Sequence, residues 1–116
     1  MSVSATFTEL ARALSAALRR NVEPRPESRV HGGSINVCLR WQTATGPVFV
    51  KLCPRARSWI LDAEADGLER LRAAAALRVP AVLARGAAGS DAFLALEWLD
   101  LHRADAAADR ALGAAL

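Results

Sequence analysis

Residues 35–53 read INVCLRWQTATGPVFVKLC, and two alternating runs on either side of a short turn decide what this chain builds. Ile35, Val37, Leu39 and Trp41 alternate with Asn36, Cys38, Arg40 and Gln42, the period of a half-buried strand. Thr43, Ala44, Thr45, Gly46 and Pro47 form a turn. Val48, Val50 and Leu52 then share one face of a second strand, with Phe49, Lys51 and Cys53 on the other. Strands joined by a short glycine-containing turn predict an antiparallel hairpin. Within it stands the single lysine of the chain, Lys51, among 15 Lys and Arg residues.

Working outward, Thr6-Phe7-Thr8-Glu9 has the form of a capping box. Phe7, Leu10, Ala11, Leu14 and Leu18 recur at helical spacing and predict a helix over 7–19. Pro24 and Pro26 end it and lead into a short strand at 28–31, followed by the glycine pair Gly32 and Gly33. Beyond the hairpin, Pro54 closes the strand and Ser58 is the expected N-cap of a helix running to about residue 76. Its apolar face is Leu61, Ala65, Leu68, Leu71 and Ala75. Gly67 inside it costs about 1 kcal/mol relative to alanine, which close packing or function would explain. Pro80 breaks the chain again. Strands at 81–85 and 92–98 are separated by a turn over 86–91, and an alanine-rich helix starts near residue 103. The fold class is therefore α+β: a five-stranded, hairpin-rich antiparallel sheet with one packed helix between its strands, and a helix at either end.

At 116 residues the chain makes one modest domain. A net charge of +3 could draw an anionic partner, but arginines such as Arg12, Arg40, Arg70 and Arg85 are scattered among acidic residues, so a solvated surface is expected. Three Trp, three Phe and no Tyr supply little for stacking on single-stranded nucleic acid. No nucleic-acid partner is expected. The absence of a long apolar run or a signal peptide gives the expectation of no membrane association and a cytoplasmic location. Cys38 and Cys53 form no CxxC pair, and with His31 and His102 they give no metal-ligand spacing. Buried strand thiols of this kind are expected to be inert.

Three features converge on Lys51. His31-Gly32-Gly33-Ser34-Ile35-Asn36 can bend its backbone closely over a ligand, and successive free N–H groups can cradle phosphate oxygens; a Gly-Gly between strands also serves as a plain turn. A lysine buried on a strand needs an anionic partner, unless it sits on an edge and reaches water. Glu64 borders the apolar face of the following helix, where a carboxylate can reach back to the sheet. Asp62 and Glu69 are read as exposed. Glycine-rich loop, strand lysine and helix glutamate, in that order, are the elements with which protein kinases hold ATP phosphates.

HGGSINVCLRWQTATGPVFVKLC, followed by LDAEADGLERLRAA, RVPAVLARG and AFLALEWLDL, resembles the fructosamine kinase (ketosamine-3-kinase) family. That family sits in the protein-kinase-like superfamily beside aminoglycoside phosphotransferases and choline kinases. The resemblance implies a kinase-like amino-terminal lobe spanning residues 1–116, with an amino-terminal helix over 1–22 and the nucleotide-binding sheet and helix over 28–101. The start of a bridging helix would occupy 102–116. It also implies that Gly32, Gly33, Ser34, Ile35 and Asn36 form the nucleotide-covering loop, and that Lys51 binds the α- and β-phosphates with Glu64 as its ion-pair partner. Phe49, Val50 and Leu96 would border the adenine pocket, and Glu97, Trp98 and Leu99 would form the adenine-binding hinge.

By the same resemblance, the intact enzyme takes ATP and a ketosamine as substrates, begins protein deglycation, and carries its catalytic base and magnesium ligands in a helical second lobe. Nothing after residue 102 supplies those groups, and Asp105 and Asp109 on the terminal helix read as solvated. No catalytic residue and no metal ligand is assigned within this chain, which is expected to be inactive alone. A lone lobe would expose the apolar surface that meets its other half, favouring self-association. The alternatives are the same lobe of an aminoglycoside- or choline-kinase-like phosphotransferase, and a non-catalytic remnant that acts only as a binding module.

Overall fold

The computed structural model describes residues 6–30, 37–74 and 79–99. The elements run in the order α1 (Phe7–Leu18), β1 (Ser28–Arg29), β2 (Val37–Thr43), β3 (Gly46–Pro54), a 3-10 turn (Arg55–Arg57), α2 (Ser58–Ala74), β4 (Val82–Ala88) and β5 (Asp91–Glu97). The strands form one sheet in the order β1-β2-β3-β5-β4, every pairing antiparallel. The glycine-rich loop at 31–36, Ala75 at the end of the expected second helix, and the terminal helix with Asp105 and Asp109 lie outside the described residues.

The two alternating runs sort as their period requires. Leu39, Trp41, Val48, Val50 and Leu52 face α1, whose Leu10, Leu14 and Leu18 complete a continuous core with Phe93. Each such buried side chain contributes about 1.5–3 kcal/mol of transfer free energy. Trp41 is wholly buried, its indole N–H donating to the Glu23 carbonyl at 2.6 Å, and Phe7 meets its ring edge-on. On the opposite face Cys53, Ala92, Leu94 and Leu96 pack against Leu61 and Ala65 of α2, with Phe49 and Leu68 partly buried beside them. Helix α1 starts as its capping box specifies: the Thr6 hydroxyl accepts the Glu9 N–H at 3.1 Å. It ends on Arg19 in the left-handed region, φ 55°, where glycine or asparagine is the usual choice.

Four local expectations are corrected. Ser58 is helical, φ −56° and ψ −24°, and is no N-cap, because the preceding 3-10 turn already winds the chain into α2. Leu71 is 54% exposed, beyond the part of α2 that lies on the sheet. Nothing lies within 4 Å of a Cβ built at Gly67, so close packing does not explain that glycine. The loop expected at 86–91 is a tight turn through Gly89 and Ser90; Gly86, Ala87 and Ala88 pair with Phe93, Ala92 and Asp91. Gly86 is required there by proximity, since a Cβ would come 2.9 Å from Cζ of Phe93.

Candidate functional site

Lys51 lies near the middle of β3, paired to Cys38 of β2 on one side and Leu94 of β5 on the other. It is therefore on a central strand, and the edge-strand alternative falls away. Alternation points it away from α1, toward α2, where Glu64 projects from the half-buried margin of the helix. The Lys51 ammonium donates to Oε1 of Glu64, and the two side chains retain 17% and 29% of their exposure. The 3-10 turn sets this contact. It turns the chain directly from β3 into α2, so that the helix crosses back over the strand it has just left, carrying Glu64 to a residue 13 positions earlier. Phe49, two residues along the same strand face, places its ring 5.7 Å from the ammonium.

The pair lies at the wall of a cleft of about 260 Å³. Phe49, Leu96 and Leu68 give it an apolar lining, and Glu97, Trp98 and Leu99 border it where the chain leaves β5. Val30 and Pro80 also line it. Ligand pockets usually run to roughly 300–1,000 Å³, so this space lies just below that range. The N–H of Val30 donates to the Cys38 carbonyl at 2.8 Å, which ties the chain before residues 31–36 to the strand beginning at Val37. At the other end, the Glu97 N–H donates to the Ala81 carbonyl at 2.9 Å and its Oε1 accepts the Ala81 N–H at 3.3 Å. Glu97 thereby pins the start of β4 to the end of β5, and its own N–H is committed.

Seven of the residues expected at the site thus gather on one cleft: Phe49, Lys51, Glu64, Leu96, Glu97, Trp98 and Leu99. Val50 does not join them. It is fully buried on the α1 face, since neighbours along a strand point to opposite sides. Gly32, Gly33, Ser34, Ile35 and Asn36 lie outside the described residues. Val30, Leu68 and Pro80 line the cleft without having been singled out; for Leu68 the signal was its place one helical turn beyond Glu64.

Both cysteines are buried and neither is in a disulfide. Burial raises the Cys53 thiol above its usual 9.0, the nearby carboxylates of Asp91 and then Asp62 push it further, and the Arg57 guanidinium partly opposes them. Cys53 Sγ donates to the Arg57 carbonyl at 3.5 Å, a contact that suits a protonated thiol. Among the described residues no three His, Cys, Asp or Glu side chains are grouped to hold a metal ion, and no helix is long and apolar enough to cross a membrane.

A family model described as fructosamine kinase matches residues 6–116. A probable ketoamine kinase of Enterococcus faecium is 34% identical over 87 residues, covering 75% of this chain and 30% of that protein. A probable ketoamine kinase of Synechocystis is 37% identical over 75 residues, covering 64% of this chain and 25% of that protein. The crystal structure of a Haemophilus somnus protein with a provisional fructosamine-3-kinase assignment superposes with a TM-score of 0.68 at 23% identity. It covers 83% of this chain and 32% of that one, a likeness of fold. This chain thus spans about a quarter to a third of the length of each relative. On the match across nearly all of its residues, the chain belongs to the fructosamine kinase family.

Proposed function

We propose that this chain is the nucleotide-binding lobe of a kinase that uses ATP to phosphorylate a sugar hydroxyl of a ketosamine in the cytoplasm, an early step in removing glycation from proteins. The observation that carries the proposal is the Lys51–Glu64 pair at the wall of an apolar cleft. Phosphoryl transfer asks the protein mainly for positioning and charge neutralisation. A compact ammonium held by one carboxylate keeps its remaining donors for phosphate oxygens and meets them as a point charge. The chain's composition sharpens this, because arginine takes 14 of the 15 basic positions and lysine only this one.

In this reading the base lies against Phe49 and Leu96, and Leu99 supplies a backbone contact, since the Glu97 N–H is already taken by Ala81. Gly32, Gly33, Ser34, Ile35 and Asn36 cover the phosphates. The base that activates the sugar hydroxyl and the magnesium ligands belong to a further lobe. The 116-residue chain alone binds nucleotide and transfers no phosphate.

Lys51→Ala tests the site. Glu64 keeps 29% exposure and can rehydrate once its partner is gone, so the variant should fold with little loss of stability. ATP should raise the melting temperature of the wild-type chain and leave that of the variant unmoved. An equal shift in both would remove Lys51 from the site. ATP-dependent phosphorylation of a fructosamine or ribulosamine by the 116-residue chain would overturn its assignment as a lobe without catalytic groups.

A further inference from the structure

Arg40 counts in the composition as one of the scattered, solvated arginines, and its surroundings are of another kind. It alternates on β2 with Leu39 and Trp41, which face α1, so it projects to the cleft side directly opposite Phe49 in register. Its guanidinium carbon lies 4.8 Å from the centre of the Trp98 ring system. Its Nε is 3.1 Å from Oε2 of Glu27, close enough for an ion pair though off the line of a hydrogen bond. Glu27 is itself fixed: its N–H donates to the Arg40 carbonyl at 2.8 Å, and its Oε1 accepts from Gln42 Nε2 at 3.3 Å. Trp98 stacks in turn on Phe49, ring centres 5.9 Å apart and planes inclined by 29°.

Carboxylate, guanidinium, indole and phenyl ring thus stand in series, and the last two line the cleft. Trp98 follows the end of β5, beyond the strand ladder, so backbone pairing does not fix its ring. The Arg40 guanidinium and the Phe49 ring are the groups that meet it. The guanidinium's flat face suits an indole, and a cation over an aromatic ring is attracted by the ring's negative face. An aromatic wall ordered before a ligand arrives spares binding the entropy of ordering it afterwards.

We infer that Arg40 is a positioning residue for the base of the bound nucleotide, anchored by Glu27 and acting through Trp98, whose indole it holds against Phe49 to fix one wall of the slot the base enters. The inference rests on the nucleotide reading above and adds to it a residue outside the cleft lining.

Equilibrium dialysis with ATP, and separately with inorganic tripolyphosphate, divides base from phosphate. Arg40→Met keeps the apolar stem and loses the cation. Its dissociation constant for ATP should rise about fivefold to tenfold, with that for tripolyphosphate unchanged, and Arg40→Lys should recover part of the loss. If Arg40→Met does not fold, Glu27→Gln releases the anchor from outside the hairpin and should weaken ATP alone about twofold. Equal weakening of both ligands, or unchanged ATP binding, overturns the inference while the nucleotide reading stands. A wild-type chain that binds tripolyphosphate and not ATP, or neither, overturns that reading and this inference with it.

Discussion

On the α1 side of the sheet, Leu39, Trp41, Val48, Val50, Leu52 and Phe93 meet Leu10, Leu14 and Leu18 in an unbroken apolar layer. On the α2 side the same strands present Arg40, Phe49 and Lys51, and only part of that face is filled by Leu61 and Ala65. One strand, β3, supplies both: its even-numbered residues 48, 50 and 52 go to the first face and its odd-numbered residues 49 and 51 to the second. Stability is concentrated where every position is apolar and covered. The proposed chemistry falls where the covering stops and a cleft remains. A strand of period two lets nine residues serve both ends without compromise at either.

The comparison breaks most visibly if large-to-small changes cost the same on both faces. Trp41→Ala should destabilise the fold by about 3–5 kcal/mol, because it opens a cavity in the covered layer and frees the Glu23 carbonyl. Phe49→Ala, at the half-open cleft, should cost about 1–2 kcal/mol and instead weaken nucleotide binding. Urea unfolding of both variants settles it; equal losses would mean the cleft face carries as much of the core. A middling effect is expected at Gly86→Ala. Its new methyl would sit 2.9 Å from the Phe93 ring, so the ring must move within the α1-side layer, costing about 1–3 kcal/mol. An unchanged unfolding midpoint would show that layer to be looser than its packing implies.

The smallest effect concerns Cys53, on the α2 side. Its thiol is raised above the usual 9.0 in the folded chain, so at alkaline pH the unfolded chain loses that proton first. Stability from this group is therefore fully present below about pH 9.0 and declines as pH rises through the higher folded value. Unfolding midpoints measured from pH 8 to 10.5 should fall less steeply in Cys53→Ala than in the wild type. Parallel slopes would assign the alkaline loss to other groups.

The sheet was legible because its central strands carry strict alternation, and both faces of β3 follow from it with only one misplacement, Val50, which the alternation itself argued against. The Lys51–Glu64 pair was legible for a different reason: a buried cation demands a partner, and one carboxylate bordered the right helix face. What escaped was decided by tertiary neighbours. Gly86, Ala87 and Ala88 have no strand propensity of their own, and they pair because the tight turn at Gly89 and Ser90 brings them opposite Phe93, Ala92 and Asp91. Asp91 reads as a turn residue and is 1% exposed, drawn into the first rung of β5 opposite Pro54. Leu71 keeps the helical period of a core residue, but α2 has passed the edge of the sheet by then. Arg40 looked like any other arginine because its meaning comes from Glu27 and Trp98, 13 residues before it and 58 after.

β3 is the third strand of five, with ladder partners along both edges. Edge strands can fray while the rest of a domain stays closed, but a middle strand is released only after a neighbour has peeled away. The backbone amide of Lys51 should consequently be among the slowest to exchange with solvent, on the timescale of global opening. The Lys51 ammonium is mounted on one of the best-protected pieces of backbone in the sheet. Its position is thereby protected from the local fluctuations that a loop-borne cation would feel.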